Sequence, residues 1–203
     1  MSTAPQPRLT FEEYDQLEHR TGERYEYHDG EVFAMSGASG AHARITSNIN
    51  FEISGRIRGS KCLTYSGELR VAIPPRGKYL HPDLTVTCGG LRPEVPGRQA
   101  YSNPKVIFEV LSASTEAYDR SAKFDLYSRI ESLAEYVLIS QDRYAIDRFS
   151  RTRHDENWQL STYRGEDAVL QLESLAISIP LIDIYDAVEF EFADRPPTPF
   201  ELA

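Results

Sequence analysis

The run Val106-Ile-Phe-Glu-Val-Leu111 constrains the fold of this chain more than any other feature. It is apolar at odd and even positions alike, the pattern of a strand covered on both faces and therefore central in its sheet. A sheet covered on both faces needs a layer on each side, so an α/β architecture is expected. Glu109 stands inside that run. An ionised carboxylate buried there costs several kcal/mol by rough estimate unless it is paired, protonated or bound to metal. The plainer alternatives are an ion pair with a buried arginine or a cleft filled with solvent.

The flanking sequence supplies the other layers. Leu69, Val71 and Ile73 alternate with Glu68, Arg70 and Ala72, which predicts a half-buried strand ended by Pro74-Pro75. With Asp83–Thr87 and Lys105–Leu111 it is expected to form the core of the sheet. Three more strands are expected near 135–140, 143–150 and 157–163. Thr10, followed three residues later by Glu13, has capping-box spacing and opens a short N-terminal helix. Arg24–His28 and Glu31–Met35 flank Asp29-Gly30, a dipeptide suited to a two-residue hairpin turn. Ile45, Ile49, Ile53 and Ile57 recur every fourth residue and place a helix over about 41–57. A further helix is expected over 116–130, with Glu116 and Asp119 in its first turn. One domain over 9–190 follows, with 1–8 and 193–203 as flexible ends.

With 203 residues, 40% of them hydrophobic, the chain can bury the core such a domain needs. No stretch approaches the roughly 20 apolar residues that span a bilayer. The two cysteines, Cys62 and Cys88, form no CxxC pair and have no histidine at zinc spacing. Neither a disulfide nor structural zinc is expected, and a reducing, cytoplasmic setting fits. A net charge of −9 opposes non-specific binding to a polyanion. Contact with nucleic acid would need metal ions or a local basic patch, for which Arg92, Arg98, Lys105 and Arg120 are candidates.

Asp83 follows His81-Pro82 at the start of its strand, where its carboxylate can point off the sheet opposite Leu84 and Val86. Two acids on neighbouring strands can converge as hard oxygen ligands for Mg²⁺ or Mn²⁺, although an aspartate at a strand end is also a common turn or cap residue. Lys123 shares a helix face with Asp119 and Tyr127. It is either half of an exposed Asp119–Lys123 pair or an ammonium turned toward Glu109. His42 belongs to the inward stripe of the isoleucine helix, as a core histidine or an auxiliary acid–base group. Glu26 is either an additional ligand or a cross-strand charge partner.

Four segments, Arg24-Tyr-Glu-Tyr-His-Asp-Gly-Glu31, His42-Ala-Arg-Ile45, His81-Pro-Asp-Leu-Thr-Val86 and Phe108-Glu-Val-Leu through Lys123-Phe-Asp-Leu-Tyr127, together resemble the Uma2 family of proposed endonucleases. The resemblance runs from about Leu9 to Val188. That family is similar to the PD-(D/E)xK nucleases, whose two acids and a lysine surround a metal-activated water. The resemblance implies a restriction-endonuclease-like core with a mixed central sheet flanked by helices. It also implies a divalent-metal-dependent endonuclease acting on DNA. Asp83, Glu109 and the backbone carbonyl of Val110 would hold Mg²⁺ or Mn²⁺, and Lys123 would position or deprotonate water. Leu111 occupies the place of the usual strand lysine, so Lys123 reaches the site from the next helix instead.

Nucleases that cut both strands often act as pairs, so a homodimer is expected, though no heptad or apolar helix face marks an interface. The competing reading is an inactive nuclease-like module that binds nucleic acid or a protein. A metal-free glycosidase with two carboxylates is weaker, because the single Trp158 lies far in sequence from both acids.

Overall fold

The computed structural model of the chain describes residues 8–35, 37–152 and 157–190. Thr10 caps α1 (Phe11–Thr21) in a full capping box with Glu13. β1 (Tyr25–His28) and β2 (Glu31–Ala34) form the expected hairpin, with Asp29 and Gly30 at φ 50° and 102°. Left-handed backbone of this kind at both central positions is what an Asp-Gly turn accommodates. α2 (Gly40–Arg56) buries Ile45, Ile49 and Ile53 along one stripe.

The principal sheet has six strands in the order β10-β9-β8-β7-β6-β3. These are β3 (Cys62–Ser66), β6 (Leu84–Cys88), β7 (Pro104–Leu111), β8 (Glu135–Ser140), β9 (Ala145–Ser150) and β10 (Gln159–Arg164). β7 and β8 run parallel and every other neighbouring pair is antiparallel, so the sheet is mixed. Parallel neighbours need a crossover. Here it carries α3 (Glu116–Tyr118), a π-helical turn (Asp119–Lys123) and α4 (Phe124–Tyr127).

Strand alternation divides the core in two. Val106, Phe108 and Val110 of β7 pack with the α2 isoleucines and with Leu170, Ile179 and Ile184. Those last residues come from the small sheet of β11 (Val169–Leu172) and β12 (Ile177–Pro180) and from α5 (Leu181–Ile184). On the opposite face, Ile107 and Leu111 meet Tyr127, Tyr136 and Leu138, together with Val71, Ile73 and Leu80. Glu109 is on this second face, between Ile107 and Leu111. The second face is roofed in part by a four-stranded sheet, β2-β1-β5-β4, completed by β4 (Val71–Ile73) and β5 (Lys78–Leu80). Its outer side packs Tyr27 and Tyr79 against Tyr14 of α1.

Four expectations are corrected. β4 belongs to the four-stranded sheet, and its place beside β6 is taken by β3, whose mixed exposure hides it in the sequence. All three residues of β4 are buried, because it is packed between α1 and the principal sheet rather than half exposed. The helical segment stops at Tyr127, short of 130, and is interrupted by the π turn. The Tyr136 hydroxyl donates to the Asp119 carbonyl at 3.0 Å. That carbonyl lies at the start of the π turn and is thus satisfied from the neighbouring strand. Finally, Cys62 and Cys88 stand opposite one another in the β3–β6 register and are disulfide-bonded. Strand register, invisible to cysteine spacing, brings them together. Among the described residues no helix is long and apolar enough to cross a membrane.

Candidate active site

The β6–β7 ladder pairs Leu84 with Phe108 and Thr85 with Ile107. Asp83 stands one residue before β6, close enough to Glu109 for its charge to act on that carboxyl. Neighbouring like charges repel, and this pair is held by partners that divide its four oxygens. The Val110 N–H donates to Asp83 Oδ2 at 2.7 Å, and His42 Nε2 is 3.1 Å from the same oxygen. The Lys123 ammonium lies 2.9 Å from Glu109 Oε1, which also accepts from the Tyr127 hydroxyl at 3.0 Å. Among the described residues nothing donates a hydrogen bond to Asp83 Oδ1 or Glu109 Oε2.

Lys123 is buried, 6% exposed, and so are Glu109 and Asp119. Its ammonium also reaches Asp119 Oδ1 at 3.3 Å and Glu26 Oε1 at 3.4 Å. The expected Asp119–Lys123 pair therefore exists but is internal. Glu26 points inward because Tyr25 and Tyr27 take the other side of β1. It accepts from the Tyr118 hydroxyl at 2.8 Å and lies 3.5 Å from His28 Nε2.

Electrostatics follow from this packing. Burial pushes the Glu109 carboxyl up to about 8; Lys123 opposes the rise, and the charges of Asp83 and Asp119 add to it. Burial alone would lower Lys123, but Glu109, Glu26 and Asp119 outweigh it and raise the ammonium above its ordinary value. For Glu26, burial is outweighed by His28, Lys123 and Tyr118, and its carboxyl falls below the usual range. One lysine thus faces three carboxylates, with Asp83 adjacent, leaving the cluster short of positive charge.

All five side chains expected at the site, Asp83, Glu109, Lys123, Glu26 and His42, form one connected cluster. His42 comes from the layer on the other side of the sheet, and its Nδ1 is buried without a partner. Sequence reading missed Tyr118 and His28 and gave Tyr127 no role beyond sharing the Lys123 face; the alternation that turns Glu26 inward also turns His28. Two of the four proposed basic contacts are otherwise engaged. Arg98 pairs with Glu12 and Glu94, and Arg120 with Glu116 and Asp147. Trp158 packs against Phe124 and Arg151, as a wall of the core.

Asp83 and Glu109 are hard oxygen donors, each with one oxygen left over, beside an uncompensated negative charge. That donor set fits a divalent cation. Among the described residues, however, no group of three or more histidine, cysteine or acidic side chains forms a ready metal cage.

The mixed sheet thus brings together Glu109 of β7, Asp83 just before β6 and Lys123 from the β7–β8 crossover. The chain belongs to the Uma2 family, described as "Putative restriction endonuclease", whose model matches residues 11–181. Two proteins of Synechocystis are similar over most of their length. The uncharacterized protein slr1290 is 35% identical over 93% of this chain and 97% of its own. The uncharacterized protein sll1609 is 31% identical over 83% and 95%. The fold is also similar to the crystal structure of "a putative nuclease belonging to DUF820" from Anabaena variabilis. That match has a TM-score of 0.70 and 17% identity, covering 87% of this chain and 97% of the other.

Proposed function

We propose that the protein is a divalent-metal-dependent endonuclease that hydrolyses phosphodiester bonds of DNA. The observation that carries this reading is the division of oxygens at the Asp83–Glu109 pair: the protein's own donors occupy one side of each carboxylate and leave the other. Asp83, Glu109 and the Val110 carbonyl would hold Mg²⁺ or Mn²⁺. Bound there, the ion supplies charge neutralisation at the scissile phosphate and lowers the pKa of water.

The chain's own residues do the rest. Lys123, held as an ammonium by its carboxylates, is a poor proton acceptor near neutrality. Its role is to orient water and to stabilise charge that develops on the phosphate. Tyr127 and Asp119 keep that ammonium and Glu109 in register. His42 holds the Asp83 carboxylate from behind, and Glu26 is the auxiliary acid that fixes Lys123 on its outer side. A homodimer is part of the proposal, and sedimentation velocity of the purified protein checks it.

The test is cleavage of supercoiled plasmid in Mg²⁺, Mn²⁺ or chelator by the native protein and by Asp83→Ala. Metal-dependent cutting that the variant loses is the expected result. Cutting in chelator, or equal cutting by the variant, would sink the assignment of the site. No cutting by the native protein on any DNA would favour a nuclease-like binding module.

A further inference from the structure

The β1–β2 hairpin carries a residue that the cluster does not use. Ladder partners share a face, and Glu26 pairs with Phe33. Phe33 therefore lies on the site face of the hairpin, beside the carboxylate that reaches Lys123. Its ring meets the His28 ring at 5.5 Å and 88°, an edge contact that fixes its orientation. Even so it is 52% exposed, and Met35, two residues on, is 38% exposed. The residues of the other face, Tyr27 and Val32, pack in the core as expected. Among the described residues β2 is also an edge of its sheet, with no strand beyond it.

Resting on the nuclease reading, we propose that Phe33 is a stacking platform for an unpaired nucleobase of the substrate, so that the preferred substrate is single-stranded or locally opened nucleic acid. Two considerations choose this occupant. Phe33 is the ladder partner of Glu26, whose carboxylate lies 3.4 Å from the Lys123 ammonium, so the ring adjoins that end of the cluster. A chain of net charge −9 also gains little from counterion release when it binds a polyanion. Stacking on an aromatic ring supplies affinity independent of charge and tolerant of sequence, because every base has a π-face.

The experiment compares cleavage of two single strands of about 12 nucleotides in Mn²⁺, an oligothymidylate and a backbone-only abasic strand, a length within the usual span of single-strand sites. The readout is the ratio of their kcat/KM values. The native protein should prefer the oligothymidylate. Phe33→Ala should lower the ratio about tenfold, and Phe33→Trp should retain it. Leu160→Ala, which removes an equally exposed apolar side chain from edge strand β10, should leave it unchanged. A ratio unaffected by Phe33→Ala in a protein that cuts both strands overturns the platform and spares the nuclease. A native protein that cuts neither strand, nor plasmid, overturns both.

Discussion

The Lys123 ammonium and the Glu109 carboxylate meet at 2.9 Å, and the lysine touches the same oxygen that the Tyr127 hydroxyl reaches. Everything the protein offers Glu109 thus gathers on one side of the carboxylate. Both groups are buried, so neither can fall back on water if the other is removed.

Lys123→Met should therefore do more than abolish activity. Stripping one partner from a buried pair costs about 3–5 kcal/mol, and Glu109 would also face Asp83 and Asp119 unrelieved. Urea unfolding in chelator should show that loss, and Glu109→Gln in the same chain should recover more than about 1 kcal/mol of it. Additive losses in the double variant would show that the two side chains act independently.

Tyr136→Phe removes the hydroxyl that occupies the Asp119 carbonyl. A net loss of about 1 kcal/mol is expected for the bond itself. The larger consequence concerns geometry: without the inserted hydroxyl the π turn can relax to α-helix, turning Lys123 away from Glu109. Plasmid cutting should fall well beyond the stability change, and a crystal structure of the variant should show a continuous α-helix. Full activity would mean that the hydroxyl does not hold the turn.

Acid stability offers a separate check, at a carboxylate that takes no part in the Lys123 cluster. Glu18 lies on the buried face of α1; burial raises its carboxyl, but hydrogen bonds from His81 and Arg70 outweigh this and lower it from 4.5 to about 2. A depressed carboxylate contributes stability that is complete above its unfolded value and disappears as pH falls through its folded one. The contribution, at most about 3 kcal/mol, should be present at pH 5 and drain away between about 4.5 and 2. In Glu18→Gln the melting temperature should be lower near neutrality, and its fall over that window shallower. Parallel native and variant curves would contradict the assignment.

Ile49 is fully buried against the principal sheet. Ile49→Ala should cost about 2–5 kcal/mol in urea unfolding with an unchanged slope. A cost below about 1 kcal/mol would mean that α2 is not packed on β7 as described.

The sequence disclosed those parts of this fold governed by short-range periodicity. The two-faced apolar run of β7, the four-residue spacing of the α2 isoleucines and the capping box of α1 each have one physical solution, and the structure adopts it. The cluster was legible for the same reason: an acid inside an apolar run has to be met by something, and the family resemblance named Lys123 as a candidate. What stayed hidden depends on distant partners. β3 looks polar because it is an edge strand, β4 was given to the wrong sheet because apolar residues do not say which layer they join, and the Cys62–Cys88 bond needs the β3–β6 register. The π turn is absent from any 3.6-residue reading, since the hydroxyl that bonds its Asp119 carbonyl, that of Tyr136, lies in the next strand.

The lone parallel pairing of β7 and β8 has a mechanical meaning. Antiparallel neighbours could have been joined by a tight turn, but parallel ones oblige the chain to travel back along the sheet, and that return passes over Glu109 carrying Lys123. Glu109 is stitched into the sheet's ladder and Asp83 stands just before β6, while the lysine rides on the returning arm, so acids and lysine come from separable stretches of chain. A residue inserted between Ser112 and Thr115 would swing the arm without disturbing the acids, and one deleted from β7 would shift an acid under an arm left in place. Evolution or design can therefore retune the base of this site and its cationic cover independently.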